Sequence, residues 1–350
     1  MIKKLLFFTL LSSLTLMAVV VFLVQQPIKL DPEQSSIWVE IKQGETLSQL
    51  AYRWEKQGWL PQAKVLIIEA RVLDYGKKIK PGEYEIPAQA SSLELLSILT
   101  KGSSKRYRVS LIEGTRLSDA LLRLSHSPKL IQDVDPLNVE NVQKLLGLKK
   151  PAEGLIYPDT YVYQAGDSVS SILKQAHERM QNILSQEWQG NQRMVTEGAS
   201  KKLPYKSAYD ALIMASIVEK ETGQASERPE IAGVFVRRLN MNMRLETDPT
   251  VIYGLGEAFK GNLRKKHLRD RSNPYNTYRN KGLPPSPIAL AGREAINAAL
   301  NPSSGKSLYF VAKGDGSHYF SASLAEHNRA VRKYQIFRRS KDYRSAPAAN

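Results

Sequence analysis

The stretch from Ala211 to Gly223, ALIMASIVEKETG, decides how the rest of this chain is read. It is apolar on nearly every face, which predicts a helix inside a domain rather than on its surface. Ser207, with Asp210 three residues on, supplies a cap for its start, and Gly223 a residue suited to end it. Two carboxylates, Glu219 and Glu221, enter near its end. A carboxylate inside such a helix is costly unless it is paired or useful. Desolvation raises its pKa, which a general acid working near neutral pH requires. A last-turn glutamate that reaches solvent, or pairs with Lys220 or an arginine, satisfies the same pattern.

A chain of 350 residues with 42% hydrophobic and 24% charged residues holds two or three folded domains. The net charge of +16 favours polyanionic surroundings: nucleic acid, an acidic membrane surface or an anionic polymer. With no cysteine there is no disulfide, thiolate chemistry or cysteine zinc site. His126, His177, His267, His318 and His327 form no short metal-ligand spacing, and no glycine-rich phosphate loop is present. Neither a metal nor another cofactor is expected.

Lys3 and Lys4 precede Leu5 to Val24, twenty residues without a charge or proline. As a helix these span about 30 Å, the thickness of a bilayer core. A cleaved signal peptide needs a shorter apolar core and small residues before a cut; this run ends in Phe22-Leu23-Val24-Gln25-Gln26-Pro27. The expectation is a signal anchor over 5–24 with a cytoplasmic tip, 1–4, and everything beyond on the outer side of the inner membrane. Nucleic acid is then excluded as a partner. Residues 25–36 read as a linker.

From 37 to 104 the pattern is strand, turn and capped helix (Ile37 to Ala51), a second helix over Val65 to Val72, and a turn into a strand over Ile79 to Pro87. This β-α-α-β order, with G-x-T-L-x-x-L-A at Gly44 to Ala51, resembles a LysM module, a small binder of N-acetylglucosamine polymers. Lys101-Gly102-Ser103-Ser104-Lys105 marks the next boundary. Further on, strands over Tyr107 to Ile112 and Thr160 to Tyr163 each lead through a tight turn into a helix, the second running Ser170 to Glu187. A polar loop follows near 190–202. After Gly223 an amphipathic helix is expected from about Glu227 to Asn240, with Ile231, Val234, Phe235 and Leu239 on one face and Arg237, Arg238 and Arg244 on or near the other. Arg244 to Gly254, Asn273 to Tyr278 and Gly282 to Ile288 then read as loops dense in hydroxyls, amides and tyrosine faces, the chemistry of a carbohydrate groove. Basic clusters at Arg264, Lys265, Lys266, Arg269 and Arg271, and at Lys333, Arg338, Arg339, Lys341 and Arg344, read as solvated faces.

Several of these motifs, in this order, resemble the YceG-like endolytic murein transglycosylase family. They are Ala215 to Thr222, R-L-x-T-D-P-T-V-I-Y-G at Arg244 to Gly254, S-N-P-Y-N-T-Y at Ser272 to Tyr278, and G-L-P-P-x-P-I at Gly282 to Ile288. Glu153-Gly154-Leu155, Tyr157 to Tyr161, Tyr309-Phe310-Val311, His318-Tyr319-Phe320 and His327-Asn328 belong to the same pattern. One departure is Glu246, where many members carry glutamine. The resemblance implies an α+β catalytic domain over 105–344 and a frayed tail over 345–350. It implies a membrane-bound lyase that cuts peptidoglycan glycan strands internally, between N-acetylmuramic acid and N-acetylglucosamine, leaving a 1,6-anhydro end and so terminating strand elongation. Peptidoglycan synthases are candidate partners.

Periodicity cannot choose between Glu219 and Glu221; the resemblance assigns the catalytic acid to Glu219 and leaves Glu221 structural. Thr247, Asp248, Tyr275, Asn276 and Tyr278 are the candidates for holding the sugar, with Glu246 nearby; Asp248 serves equally as a cap of the turn at Thr250. Two other readings remain open. One is a hydrolase in which Asp248 or Glu246 activates water as a second carboxylate. The other is a non-catalytic wall-binding scaffold.

Overall fold

The computed structural model describes residues 2–31, 33–76, 78–198 and 202–337; within these, the side chains of 2–6, 8, 9, 16, 20, 23, 24 and 337 fall outside the described set. It is a mixed α+β chain of many helices and three small two-stranded sheets among the described residues. Two compact units emerge. The first takes residues 1–108, 127–131 and 162–168, the second 109–126, 132–161 and 169–350.

The first unit begins with helix α1 (Ile2–Val24), followed by β1 (Ser36–Ile41), α2 (Leu47–Lys56), α3 (Ala63–Val72), β2 (Gly82–Pro87) and α4 (Ser92–Lys101). Thr46 caps α2 through a reciprocal box with Gln49, and Ser91 does the same for α4 with Glu94. β1 and β2 pair antiparallel with Val39 opposite Tyr84 and Ile37 opposite Ile86. Val39, Ile41, Tyr84 and Ile86 share one core with Leu50, Trp54, Leu66, Leu95 and Leu99 from the helices. The order β-α-α-β is therefore present. Counting the described residues alone, no helix is long and apolar enough to cross a membrane. The anchor expected over 5–24 falls on α1, in part on side chains outside the described set, as does the expected tip at 1–4; the tail at 345–350 also lies outside the described residues.

Next come β3 (Arg106–Ser110), α5 (Leu117–Ser125), α6 (Val139–Leu145) and β4 (Thr160–Gln164), β3 pairing with β4. The second unit is completed by α7 (Val169–Thr196), α8 (Ala208–Glu221), α9 (Arg228–Asn240), α10 (Asp248–Leu255), α11 (Lys265–Arg269), α12 (Arg293–Leu300), β5 (Tyr309–Ala312), β6 (His318–Ser321) and α13 (Leu324–Val331). Its centre is α8, buried from Ala211 to Val218 and packed against α7, α9, α10 and α12. The closest partner is α12, whose Ala295, Ala298 and Ala299 are buried like Ala211 and Ala215. Small side chains on facing ridges let two helices approach closely.

Four local expectations are corrected. Helix α8 stops at Glu221 because Thr222 turns extended, at φ −146° and ψ 137°; Gly223 does not provide a left-handed end. Helix α7 runs nine residues past Glu187 to Thr196. Its last turns carry no apolar stripe and are tied down by buried Asn191, whose Nδ2 donates to the Leu300 carbonyl at 2.7 Å. Asp248 to Leu255 is a helix, not a loop: Asp and Pro in the first turn are entry residues. Arg238 does not lie on an outer face. It is 6% exposed and donates to the carbonyls of Leu308, Arg244 and Leu245 and to Glu246.

Candidate active site

Successive helical residues turn by about 100°, so Glu219 and Glu221 leave α8 about 200° apart. The structure puts them in different chemistry. The Glu219 side chain is 5% exposed; Arg228 Nη2 lies 3.1 Å from Oε1, and the Gly292 N–H donates to Oε2 at 3.0 Å. Arg228 also pairs with Glu294 through Nη1. Both carboxylate oxygens are thus occupied, one by a guanidinium and one by a backbone amide. Glu113 stands beside this group; its carboxyl is pushed up by desolvation and by the Glu219 charge.

Glu221 opens instead on a cleft of about 670 Å³ that Glu246, Thr247, Asp248, Tyr278 and His318 also line. Burial pushes its carboxyl up to about 7; the Thr247 hydroxyl opposes that shift and the Asp248 charge adds to it. The residue is partly exposed and lines the cleft. It has no cationic partner among the described residues. Its hydrogen-bond partner is Thr247, whose hydroxyl donates to Oε1.

Thr247 occupies the N-cap position of α10, yet its side chain makes no cap bond. The hydroxyl is committed to Glu221, and the residue is held by its neighbours. Its N–H donates to Thr277 Oγ1 at 3.1 Å, and Thr250 Oγ1 lies 2.8 Å from the Thr247 carbonyl and 2.9 Å from Thr277 Oγ1. All three threonines are buried. The T-D-P-T and N-T-Y motifs meet here as one hydroxyl cluster behind the carboxyl.

The remaining sequence candidates divide. Asp248 is exposed in the cleft and accepts from Tyr278 Oη at 2.7 Å; that carboxylate and burial push the Tyr278 phenol well above its usual value, burial contributing most. Glu246 sits at the cleft with φ +55°, unusual for a residue with a Cβ, and Arg238 Nη1 lies 3.3 Å from its Oε2. Tyr275 and Asn276 do not line the cleft. Asn276 is fully buried; its Nδ2 donates to the carbonyls of His267, Leu268 and Asp270, and its Oδ1 accepts from the Tyr278 N–H. Its amide is spent on folding the loop, leaving none for a sugar. Tyr275 packs edge-on against Tyr253 and bonds Ser286 through its hydroxyl.

Sequence reasoning did not single out Arg228 or Gly292, and gave no role of its own to Arg238 or the buried Glu153. The last is 4% exposed, accepts from Leu117 N and Tyr253 Oη, and is pushed up to about 7 by burial. The only local signal for Arg228 is its place as a lone arginine at the start of a helix after two glutamates. Among the described residues, no group of three or more His, Asp or Glu could hold a metal ion.

Comparison with known proteins gives a consistent outcome. The model of the YceG-like family matches residues 39–333. An endolytic murein transglycosylase of Bacillus subtilis is 29% identical over 328 residues, which cover 88% of this chain and 87% of that protein. An endolytic murein transglycosylase of Streptococcus pneumoniae is 25% identical over 331 residues, 85% of this chain and 58% of that one. The crystal structure of a YceG-like protein from Listeria monocytogenes has a TM-score of 0.53 at 30% identity, covering 84% of this chain and 98% of that chain.

Proposed function

This chain belongs to the YceG-like family, and we propose that it is an endolytic murein transglycosylase, a lyase acting within peptidoglycan glycan strands, with Glu221 as its acid. The observation that carries the assignment is a carboxyl raised to about 7, open to a cleft lined by the T-D-P and N-T-Y motifs. The acid moves from the expected Glu219 to Glu221 on physical grounds. Glu219 pairs with Arg228 and the Gly292 N–H and does not line the cleft, whereas Glu221 lines it and is raised by burial to about 7.

In the proposed reaction the protonated Glu221 donates to the glycosidic oxygen between N-acetylmuramic acid and N-acetylglucosamine as the bond to the anomeric carbon breaks. The substrate's 2-acetamido group stabilises the cationic centre. The Glu221 carboxylate then takes the proton of the sugar's 6-hydroxyl, whose oxygen closes on the anomeric carbon and forms the 1,6-anhydro end. No water is consumed. The Thr247 hydroxyl steadies the carboxylate between the two proton transfers. Of the residues expected to hold the sugar, Thr247, Asp248, Tyr278 and Glu246 line this cleft, and the reading gives them that role. Tyr275 and Asn276 support the loop that carries Tyr278.

The same reading assigns the first unit a LysM-like, glycan-binding role, supported by its β-α-α-β order. It takes residues 5–24 as an inner-membrane anchor, supported by exposed Phe7, Leu10, Leu14, Met17 and Phe22 on α1 and the lysines before them, with the bulk of the chain periplasmic beside the synthases. The test is Glu221→Gln on purified peptidoglycan with mass-spectrometric readout. Wild type should yield anhydro-muramyl ends and the variant none. Reducing ends alone would instead mean that a second carboxylate, Asp248 or Glu246, activates water.

A further inference from the structure

His318 lines the same cleft as Glu221, yet the reaction above gives it no part. It is the first residue of β6, with a side chain 5% exposed. Glu227 holds it at two points: Oε1 accepts from the His318 N–H at 2.8 Å, and Oε2 lies 2.7 Å from Nδ1. Glu227 is in turn 12% exposed, with Thr222 Oγ1 at 3.5 Å from the same oxygen. A carboxylate only accepts, so Nδ1 carries a proton and Nε2 is the ring atom left for another partner. The ring cannot turn freely. Phe310 meets it edge-on at 5.4 Å, and Phe320 flanks it at 6.5 Å. No hydrogen bond from any described residue reaches Nε2.

A ring held in a set orientation in the wall of a cleft, with one nitrogen left without a described partner, is the arrangement that reads a polar group on a ligand. We propose that His318 is a substrate-binding residue whose Nε2 hydrogen-bonds a hydroxyl of the glycan strand. Glu227 is then its positioning residue. The inference rests on the reading of this cleft as a glycan site, but not on which carboxyl is the acid.

The test uses the full chain and soluble, uncrosslinked glycan strands. In His318→Asn the amide can still donate to Glu227 from near the Nδ1 position, while nothing replaces Nε2. The variant should keep its melting midpoint and raise KM roughly tenfold, the scale of one neutral hydrogen bond, with kcat held within twofold. His318→Gln, which reaches the Nε2 position but loses Glu227, should show the reverse: a lower midpoint and a smaller change in KM. An unchanged KM in folded His318→Asn overturns the proposal. Should that variant fail to fold, the imidazole ¹⁵N signals of wild type titrated with an N-acetylglucosamine tetramer decide it. The Nε2 resonance should shift with the other cleft signals, and an unmoved one removes the proposal. Glu221→Gln that still cleaves would remove the acid assignment and leave the KM comparison standing. A wild-type chain that neither cuts nor binds glycan would remove both.

Discussion

Glu219 and Glu221, two residues apart on α8, end in opposed electrostatic settings: the first is paired with Arg228 at 3.1 Å, while the second is hydrogen-bonded by the neutral hydroxyl of Thr247. The first has a cation beside it; the second has none among the described residues and is raised by burial to about 7. A helix places them on different sides, and each side meets a different packing partner.

Glu221→Gln should therefore cost at least about a hundredfold in cleavage with the fold intact, the usual worth of a general acid. Glu219→Gln should act through stability, since Arg228 is left without its full counter-charge; loss of one partner of a buried pair costs about 3–5 kcal/mol. Specific activity of the folded Glu219→Gln fraction, set against its melting midpoint, separates the two. Background activity in a fully folded Glu219→Gln sample would return the acid to that position.

The pH profile follows from the Glu221 acid form. Activity should decline as pH rises through about 7, where the proton is lost. The Thr247 hydroxyl lowers that value, so Thr247→Val should move the decline to higher pH, and Thr247→Ser should leave it in place. A downward displacement in Thr247→Val would contradict the role given to the hydroxyl.

Glu153 makes the fold itself pH-dependent. Its folded pKa of about 7 lies above the reference value of 4.5, so between these values the native state binds more protons than the unfolded chain. Stability is then lost as pH rises from about 4.5 to about 7. Glu153→Gln should flatten that part of the stability curve, with a gain on the order of 2 kcal/mol at pH 8. Tyr253, whose hydroxyl now donates to the carboxylate, can turn to accept from the amide. Urea denaturation at pH 5 and pH 8 measures the difference; equal slopes for both proteins would contradict it.

Gly154 should resist substitution. Its φ is +75°, and a Cβ there would run into the Pro287 ring. Gly154→Ala combines a left-handed backbone with overpacking, and should lower stability by about 2–4 kcal/mol. Circular dichroism melts of the two proteins test this. It also gives a physical reason for the pairing of the E-G-L and G-L-P-P-x-P-I motifs.

Much of the molecule is written locally. The Thr46 and Ser207 caps, the alternation of Val39 and Ile41, and the apolar run of α8 each depend on near neighbours, so the sequence by itself determined most of the elements, the buried central helix and the presence of an acidic centre at its end. The α10 signal, Asp-Pro after Thr247, was equally local but was masked by the density of polar turn residues around it. What only the tertiary structure decided is which carboxylate meets a cation, which meets a hydroxyl at the cleft, and which motif residues line that cleft. Arg228 reaches Glu219 from the following helix, the Gly292 amide arrives from 73 positions later, and Asn276 is drawn inward by carbonyls at the end of α11 and just after it. The proton affinity of a side chain depends on the charges and dipoles within a few ångströms of it, and those neighbours are assembled by packing rather than by order along the chain.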